Sequence, residues 1–164
     1  MLPKKIRYIL IAIFSIFVGS QITEGALLVP YWQSLTPEAF YSYYNDFGPG
    51  IGQFYTVLTI LAAIIPVALA FYFFRTHSSG KWYAVISSIL AVIFVSFYYL
   101  YFADTNELFY QSALSQQELQ DVLVNWCRVH WCRVHWCRVV IELFSLAFLM
   151  LALSHDEQPN AQVD

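Results

Sequence analysis

The residue types most able to do chemistry are concentrated in one stretch, residues 125–139, which reads NWCRVHWCRVHWCRV. The pentad Trp-Cys-Arg-Val-His occurs twice there, and a third copy ends before its histidine. All three cysteines of the chain belong to this repeat. Five residues turn an α-helix about 140° past a full turn, so successive copies cannot share one helix face. Only one copy can be in phase with the apolar segment after it.

The second copy of the pentad continues into that apolar segment as one helical stripe. Steps of four, three, four and three residues separate its members, which are Trp131, His135, Arg138, Glu142 and Ser145. Such spacing places side chains on one face of a helix. His130 of the first copy points away from this face. We therefore interpret the second copy as the functional one, with His130 as the alternative.

Three of the polar residues could form a catalytic group. His135 would act as an acid/base group or a metal ligand, Glu24 as a second acid/base group, and Arg138 would bind an oxyanion or enolate. The residues expected to contact the substrate are Asn106, Trp131 and Glu142. His135 and Glu24 are compatible with an iron or copper site, with His130 as the alternative ligand, but the spacing requires neither a metal nor a haem.

Each of these residues also has an interpretation without chemistry. Arg138 and Glu142, four residues apart, could neutralise each other, and Glu24 could pair with Arg138. His135 could form a hydrogen bond between helices, and Asn106 could cap a helix end. The tryptophans are of the kind that anchor helices at a membrane surface. The cysteines, five residues apart, fit neither a zinc site nor a disulfide within one helix.

Composition indicates a membrane protein. Of the 164 residues, 59% are hydrophobic and only 12% are charged, against about 25% charged in soluble domains. The net charge is −3 and there is no broad basic patch, so nucleic acid is not an expected partner. The expected partners are membrane lipids and a lipophilic small molecule, and a homo-oligomer stays open.

Four apolar segments predict an all-α, integral membrane four-helix bundle. The expected helices lie at about residues 7–29, 53–74, 82–102 and 116–153. They form one domain, residues 1–153, followed by a polar tail at 154–164. The alternative for the first segment is a cleaved signal peptide with its cleavage site at Val18–Ser20.

The connections between these segments carry turn and cap signals. Thr36 and Pro37 predict the start of a short helix, and the Pro- and Gly-rich run FGPGIG, residues 47–52, predicts a loop. A second loop is expected at 104–115. Ser115 and Glu118 form a capping-box pattern that predicts the start of the last helix.

The Lys and Arg distribution predicts the orientation. Basic residues at the start of the chain and in the 75–81 turn place both termini in the cytoplasm, because cytoplasmic loops carry the excess of Lys and Arg. Arg128 and Arg133 favour the opposite orientation but are outnumbered. The protein is then a multi-pass protein of the plasma (inner) membrane. Polar residues from three segments meet in its outer half, where we expect a pocket.

Several short motifs resemble the anthrone oxygenase-like family of small four-helix membrane proteins. They are Gly25 followed by Pro30, the Asn106-Glu-Leu sequence, and Trp131, His135 and Arg138 in the last segment. The resemblance covers about residues 8–153. It implies the four-helix membrane fold and, for the fungal enzymes that name the group, oxidation of anthrones to anthraquinones. This chain differs in carrying the Trp-to-Arg motif twice in overlap.

Two classes of function are consistent with these observations. The first is an oxidoreductase or oxygenase-like enzyme acting on a lipophilic substrate, which the polar pocket and the resemblance favour. The second is a non-enzymatic membrane accessory or a lipophile- or metal-binding protein, which the absence of a strong catalytic motif favours. Four helices without a visible repeat do not favour transport.

Overall fold

The structure, a computed structural model, describes residues 2–128 and 131–156, and in that part of the chain it is helical without strands. The helices are α1 (Lys4–Ser34), α2 (Pro37–Arg75), α3 (Lys81–Tyr110), α4 (Gln116–Arg128) and α5 (Trp131–His155). Four segments are long and apolar enough to cross a membrane, namely α1, α2, α3 and Val134–His155 of α5. The protein is therefore a multi-pass integral membrane protein, and the prediction of an all-α fold with four membrane helices is confirmed.

The four long helices pack in a ring, with α1 and α3 each lying against both α2 and α5. Aromatic and aliphatic side chains fill the main core, among them Phe14, Phe17, Phe73, Phe94 and Leu149. A second cluster, which includes Trp32, Phe40, Phe109 and Leu119, closes one end of the ring beneath α4. The bundle thus has an apolar core and an aromatic cap.

The opposite end of the bundle holds both ends of the described chain. The Arg7 guanidinium lies 3.7 Å from the carboxylate of Asp156, which also accepts a hydrogen bond from the amide of Leu2. The Ser79 hydroxyl, in the turn between α2 and α3, donates to the carbonyl of His155 at 2.7 Å. The start of α1, the end of α5 and the 76–80 turn therefore lie on one side of the membrane.

Helix α2 departs most from the prediction. Its N-cap is as expected, since the Thr36 hydroxyl accepts from the amide of Ala39 at 3.3 Å. The prediction of a loop at 47–52 is wrong, because α2 is one helix of 39 residues that runs through Pro49 without a break. In a membrane an open loop would leave peptide groups without partners, so a helix that loses one bond at a proline is preferred. Tyr110 supports the segment by donating to the carbonyl of Gly48 at 3.0 Å.

The other predicted bounds differ by less. The loop predicted at 104–115 is helical as far as Tyr110, which leaves only residues 111–115 as the connection. The last predicted helix, 116–153, corresponds to α4 and α5, with residues 129–130 outside the described part. Helix α5 continues to His155, beyond the predicted bound at 153. Asp156, which follows the helix, is buried. Residues 157–164 of the predicted tail lie outside the described residues.

The predicted capping box at the start of α4 is confirmed. The amide and hydroxyl of Ser115 donate to the Glu118 carboxylate at 2.9 and 2.7 Å, and the amide of Glu118 donates back to the Ser115 hydroxyl. These hydrogen bonds hold the pKa of Glu118 below its usual range. The box fixes where α4 begins and therefore where it covers the aromatic cap.

Candidate functional site

A cavity of about 650 Å³ lies between the spanning helices, in the half of the bundle away from the chain ends. Helices α1, α2, α3 and α5 all contribute to its wall. Its aromatic lining includes Trp32, Tyr44, Tyr55, Phe94, Tyr98 and Phe102. Its polar lining includes Gln21, Glu24, Thr59, Asn106, Glu107 and Arg138. A largely apolar ligand that makes a few polar contacts suits a lining of this kind.

Arg138 is the charged centre of this site. It is only 5% exposed, and its guanidinium lies 4.6 Å from the ring centroid of Phe102 and 5.7 Å from that of Phe94. It donates a hydrogen bond to the side-chain oxygen of Gln21, and its Nη2 lies 3.6 Å from Oε2 of Glu24. The cation thus contacts the Gln21 amide, the Glu24 carboxylate and two rings, and it lines the cavity.

Glu142 lies next to Arg138 but is not part of the cavity wall. Its Oε1 is 3.8 Å from Nε of Arg138, one helical turn away. Among the described residues, no hydrogen-bond partner reaches that Nε or either Glu142 oxygen. Glu142 is 1% exposed. The contact is therefore an ion pair without a hydrogen bond, and the substrate contact of Glu142 stays a prediction.

His135 joins α5 to α1. Its Nε2 lies 2.9 Å from the backbone oxygen of Gln21. A carbonyl can only accept, so Nε2 carries the proton in this contact. The ring packs on Gly25, where an added Cβ would lie 2.7 Å from Cδ2 of His135. His135 therefore holds the turn of α1 from which Gln21 and Glu24 reach Arg138.

This close packing predicts that Gly25→Ala is destabilising. The new methyl group would have to displace a buried, hydrogen-bonded ring, and overpacking of this kind costs about 1–3 kcal/mol. The matched control is Gly19→Ala in the same helix, where nothing lies within 4 Å of the added Cβ and alanine should stabilise by about 0.5–1 kcal/mol. The two unfolding free energies should move in opposite directions. Equal changes would show that Gly25 is not a packing requirement.

Two π-helical segments border the cavity. One covers Glu24–Leu28 in α1, where the amide of Val29 bonds to the carbonyl of Glu24. The other covers Tyr98–Phe102 in α3. A π-turn adds one residue to a helical turn and rotates the rest of the helix relative to the part before it, and it occurs often at functional sites. Here the two segments carry Glu24 on one wall and aromatic rings on the other.

The structure brings most of the predicted site together. Glu24, Asn106 and Arg138 line the cavity, while His135 is buried behind it. Asn106 does not cap a helix end, because α3 continues to Tyr110. Trp131 begins α5, but its side chain lies outside the described part of the chain, and His130 lies outside it altogether.

The predicted phase of the α5 stripe is confirmed for its described members. Side chains at 135, 138, 142 and 145 are buried. At the C-terminal end of the stripe, the hydroxyls of Ser87 and Ser145 donate to each other's backbone carbonyls at 2.8 and 3.0 Å. This pair fixes α3 against α5 directly below the charged cluster.

The contribution of α2 to the cavity wall was not predicted from the sequence. Residues of α2 that line the cavity recur at helical spacing, namely Tyr44, Gly48, Ile51, Tyr55 and Thr59. This period of about 3.6 residues was the available signal, but it crosses the Gly-Pro-Gly run. Gln21, the direct partner of Arg138 and His135, was likewise not assigned a role.

The described side chains do not form a metal-binding group. No three His, Cys, Asp or Glu residues among them lie close enough together to hold an ion. In the predicted His135 and Glu24 pair, Nε2 of His135 is engaged by Gln21 and the carboxylate by Arg138.

Comparison of the chain with protein-family models, curated proteins and solved structures found no match.

Proposed function

We propose that this protein is a membrane oxidoreductase of the oxygenase type that acts on a flat lipophilic ketone or phenol. The observation that carries the proposal is the cavity itself, whose wall includes eight aromatic side chains, a buried arginine and the carboxylate that lies beside it. The motif resemblance to the anthrone oxygenase-like family supports the same substrate class. Anthrone, a flat tricyclic ketone, is the test substrate.

The site offers a direct route for proton removal. The Glu24 carboxylate would take a proton from the carbon activated by the substrate carbonyl. The enolate oxygen formed in that step would lie against Arg138, whose charge stabilises it in a poorly hydrated site. The enolate then reacts with O₂. One oxygen atom becomes the new carbonyl of the quinone, and the other leaves as water with the two hydrogens of the oxidised carbon.

His135 has a positioning role in this proposal. It does not line the cavity, and it holds the Gln21 and Gly25 segment of α1 in place. Helix α1 then presents Glu24 to the ligand and to Arg138.

The second candidate is a non-enzymatic binder of a lipophile. The engagement of Arg138 by Glu24, Glu142 and Gln21 favours it, because such a cluster can be purely structural. Oxygen uptake by purified protein in lipid nanodiscs separates the two. An enzyme consumes one O₂ for each anthraquinone formed after anthrone is added, at a rate proportional to protein. A binder gives the protein-free rate.

The proposed orientation has both termini in the cytoplasm, with the cavity toward the outer side of the plasma membrane. The Lys and Arg residues at the start of the chain and in the 75–81 turn support it. The chain ends and the turn share one side of the bundle. A homo-oligomer is compatible with the exposed apolar surface.

Ser79→Cys in a background without the three native cysteines is expected to react with a membrane-impermeant maleimide only from the cytoplasmic side. Its side chain lies in the exposed turn beside His155. The reference is Ser112→Cys, in the connection at the other end of the bundle, which should be labelled only from outside. The reverse pattern would invert the orientation and the side on which the cavity lies.

A further inference from the structure

A second concave surface of about 640 Å³ lies beside the cavity, between α1 and α2. The α1 side of this groove is formed by Ser20, Thr23 and Leu28, and the α2 side includes Phe47, Gly50 and Phe54. Both walls belong to membrane-spanning segments. Phe47 and Phe54 are 56% and 52% exposed, so the groove opens toward the surroundings of the bundle rather than into its core.

The groove and the cavity share a wall. Ile51 and Tyr55 line both of them. The Tyr55 hydroxyl donates to the backbone oxygen of Ser20 at 3.1 Å, so this side chain spans from α2 to α1. Ile51 and Tyr55 therefore separate the two spaces, and Tyr55 is the one of them that is hydrogen-bonded to the adjacent helix.

The α2 side of the groove has one turn with a missing hydrogen bond and open space beside it. Pro49 cannot donate to the carbonyl of Asn45, so this turn of α2 lacks one helical hydrogen bond. At Gly50 nothing lies within 4 Å of an added Cβ. The adjacent glycines differ, since an added Cβ would meet the ring of Tyr44 at Gly48 and the hydroxyl of Tyr110 at Gly52. Gly50 is thus the position where the missing side chain leaves the groove open.

We infer that this groove is the lateral entrance through which a neutral, flat lipophile moves from the bilayer into the cavity, with Tyr55 as the closing residue. The inference rests on the proposed function. Ligands of this class partition into the hydrocarbon region of the bilayer. A side entrance admits them from there without a step through water. The groove lining contains Asp46 and no Lys or Arg, so the groove favours a neutral ligand over an anion. The ligand contacts a cationic side chain only when it reaches Arg138 in the cavity.

The test uses ligand-binding kinetics in phosphatidylcholine nanodiscs with anthraquinone as the probe. In a variant whose only tryptophan is Trp32, which lines the cavity and is 5% exposed, quenching by the quinone reports arrival there. Gly50→Phe should fill the groove and lower the association and dissociation rates together by about tenfold. The dissociation constant should stay unchanged, because Gly50 does not line the cavity.

Gly19→Phe is the matched control, since it adds the same side chain to an exposed glycine of α1 that lines neither space. Its rates should equal those of the parent. Tyr55→Ala provides an independent arm in case Gly50→Phe does not fold, and it should raise the association rate.

Two results would overturn the entrance. One is Gly50→Phe rates equal to those of Gly19→Phe, and loss of a co-purified lipid in that variant would then make the groove a lipid site. The other is a Tyr55→Ala association rate equal to that of the parent. Failure of the proposed function looks different. A cavity that does not bind the flat lipophile would give no saturable quenching in the parent, and a binder without the activity would give quenching but only the protein-free rate of oxygen uptake.

Discussion

Replacing Arg138 with methionine is expected to lower the free energy of unfolding by about 3–5 kcal/mol, the usual cost of breaking a buried ion pair. The arginine lies within 4 Å of two carboxylates, those of Glu24 and Glu142. Methionine keeps much of the volume but leaves both acids without a cation. Unfolding in mixed detergent micelles, followed by circular dichroism, measures the effect.

A double variant separates charge from packing. Adding Glu142→Gln to Arg138→Met removes one of the stranded carboxylates and should recover about 1–3 kcal/mol through the coupling of neighbouring sites. Arg75→Met is the control, because Arg75 lies 5.0 Å over the ring of Phe71 but forms no ion pair in the described structure. Its cost should stay near 1 kcal/mol or less. A double variant no more stable than Arg138→Met would show that packing, not charge, holds the cluster.

Glu24→Gln is expected to reduce kcat for anthrone oxidation by about 10²- to 10⁴-fold, the range for loss of a general base. The glutamine is close to isosteric and keeps an oxygen beside Arg138, so the dissociation constant of anthraquinone should change little. Deuterium on the oxidised carbon of anthrone should slow the wild-type reaction if proton removal limits it.

Asp104→Asn is the control for this prediction, because Asp104 is an exposed acid on the same helix as Asn106 and does not line the cavity. It should leave kcat unchanged. Equal losses in the two variants, or a full rate in Glu24→Gln, would remove Glu24 from the reaction.

Local sequence signals were enough for the helix class, the caps and the face of α5. The stripe from His135 to Ser145 depends only on helical period, and that period is a property of the chain itself. The caps at Thr36 and Ser115 are also local, since each involves a partner three residues away. Such features can be predicted because no distant contact is needed to decide them.

Features that depend on distant contacts could not be predicted in this way. Gly-Pro-Gly in α2 signals a turn in water, but the membrane and the Tyr110 bond to Gly48 keep it helical. The role of Gln21 depends on α5 lying beside α1. The direction in which the Glu24 side chain points depends on the π-turn that begins at this residue. In each case the deciding partner is at least 60 residues away or the backbone geometry is irregular.

The most direct measurement of the central claim is equilibrium quenching of Trp32 by anthraquinone in nanodiscs, compared with a variant whose only tryptophan is Trp82. Trp32 lines the cavity, whereas Trp82 is 62% exposed at the other end of the bundle. The cavity account predicts saturable quenching of Trp32 with one quinone per chain and only linear, partition-driven quenching of Trp82. Linear quenching of equal slope at both positions would contradict the claim that this cavity binds a flat lipophile.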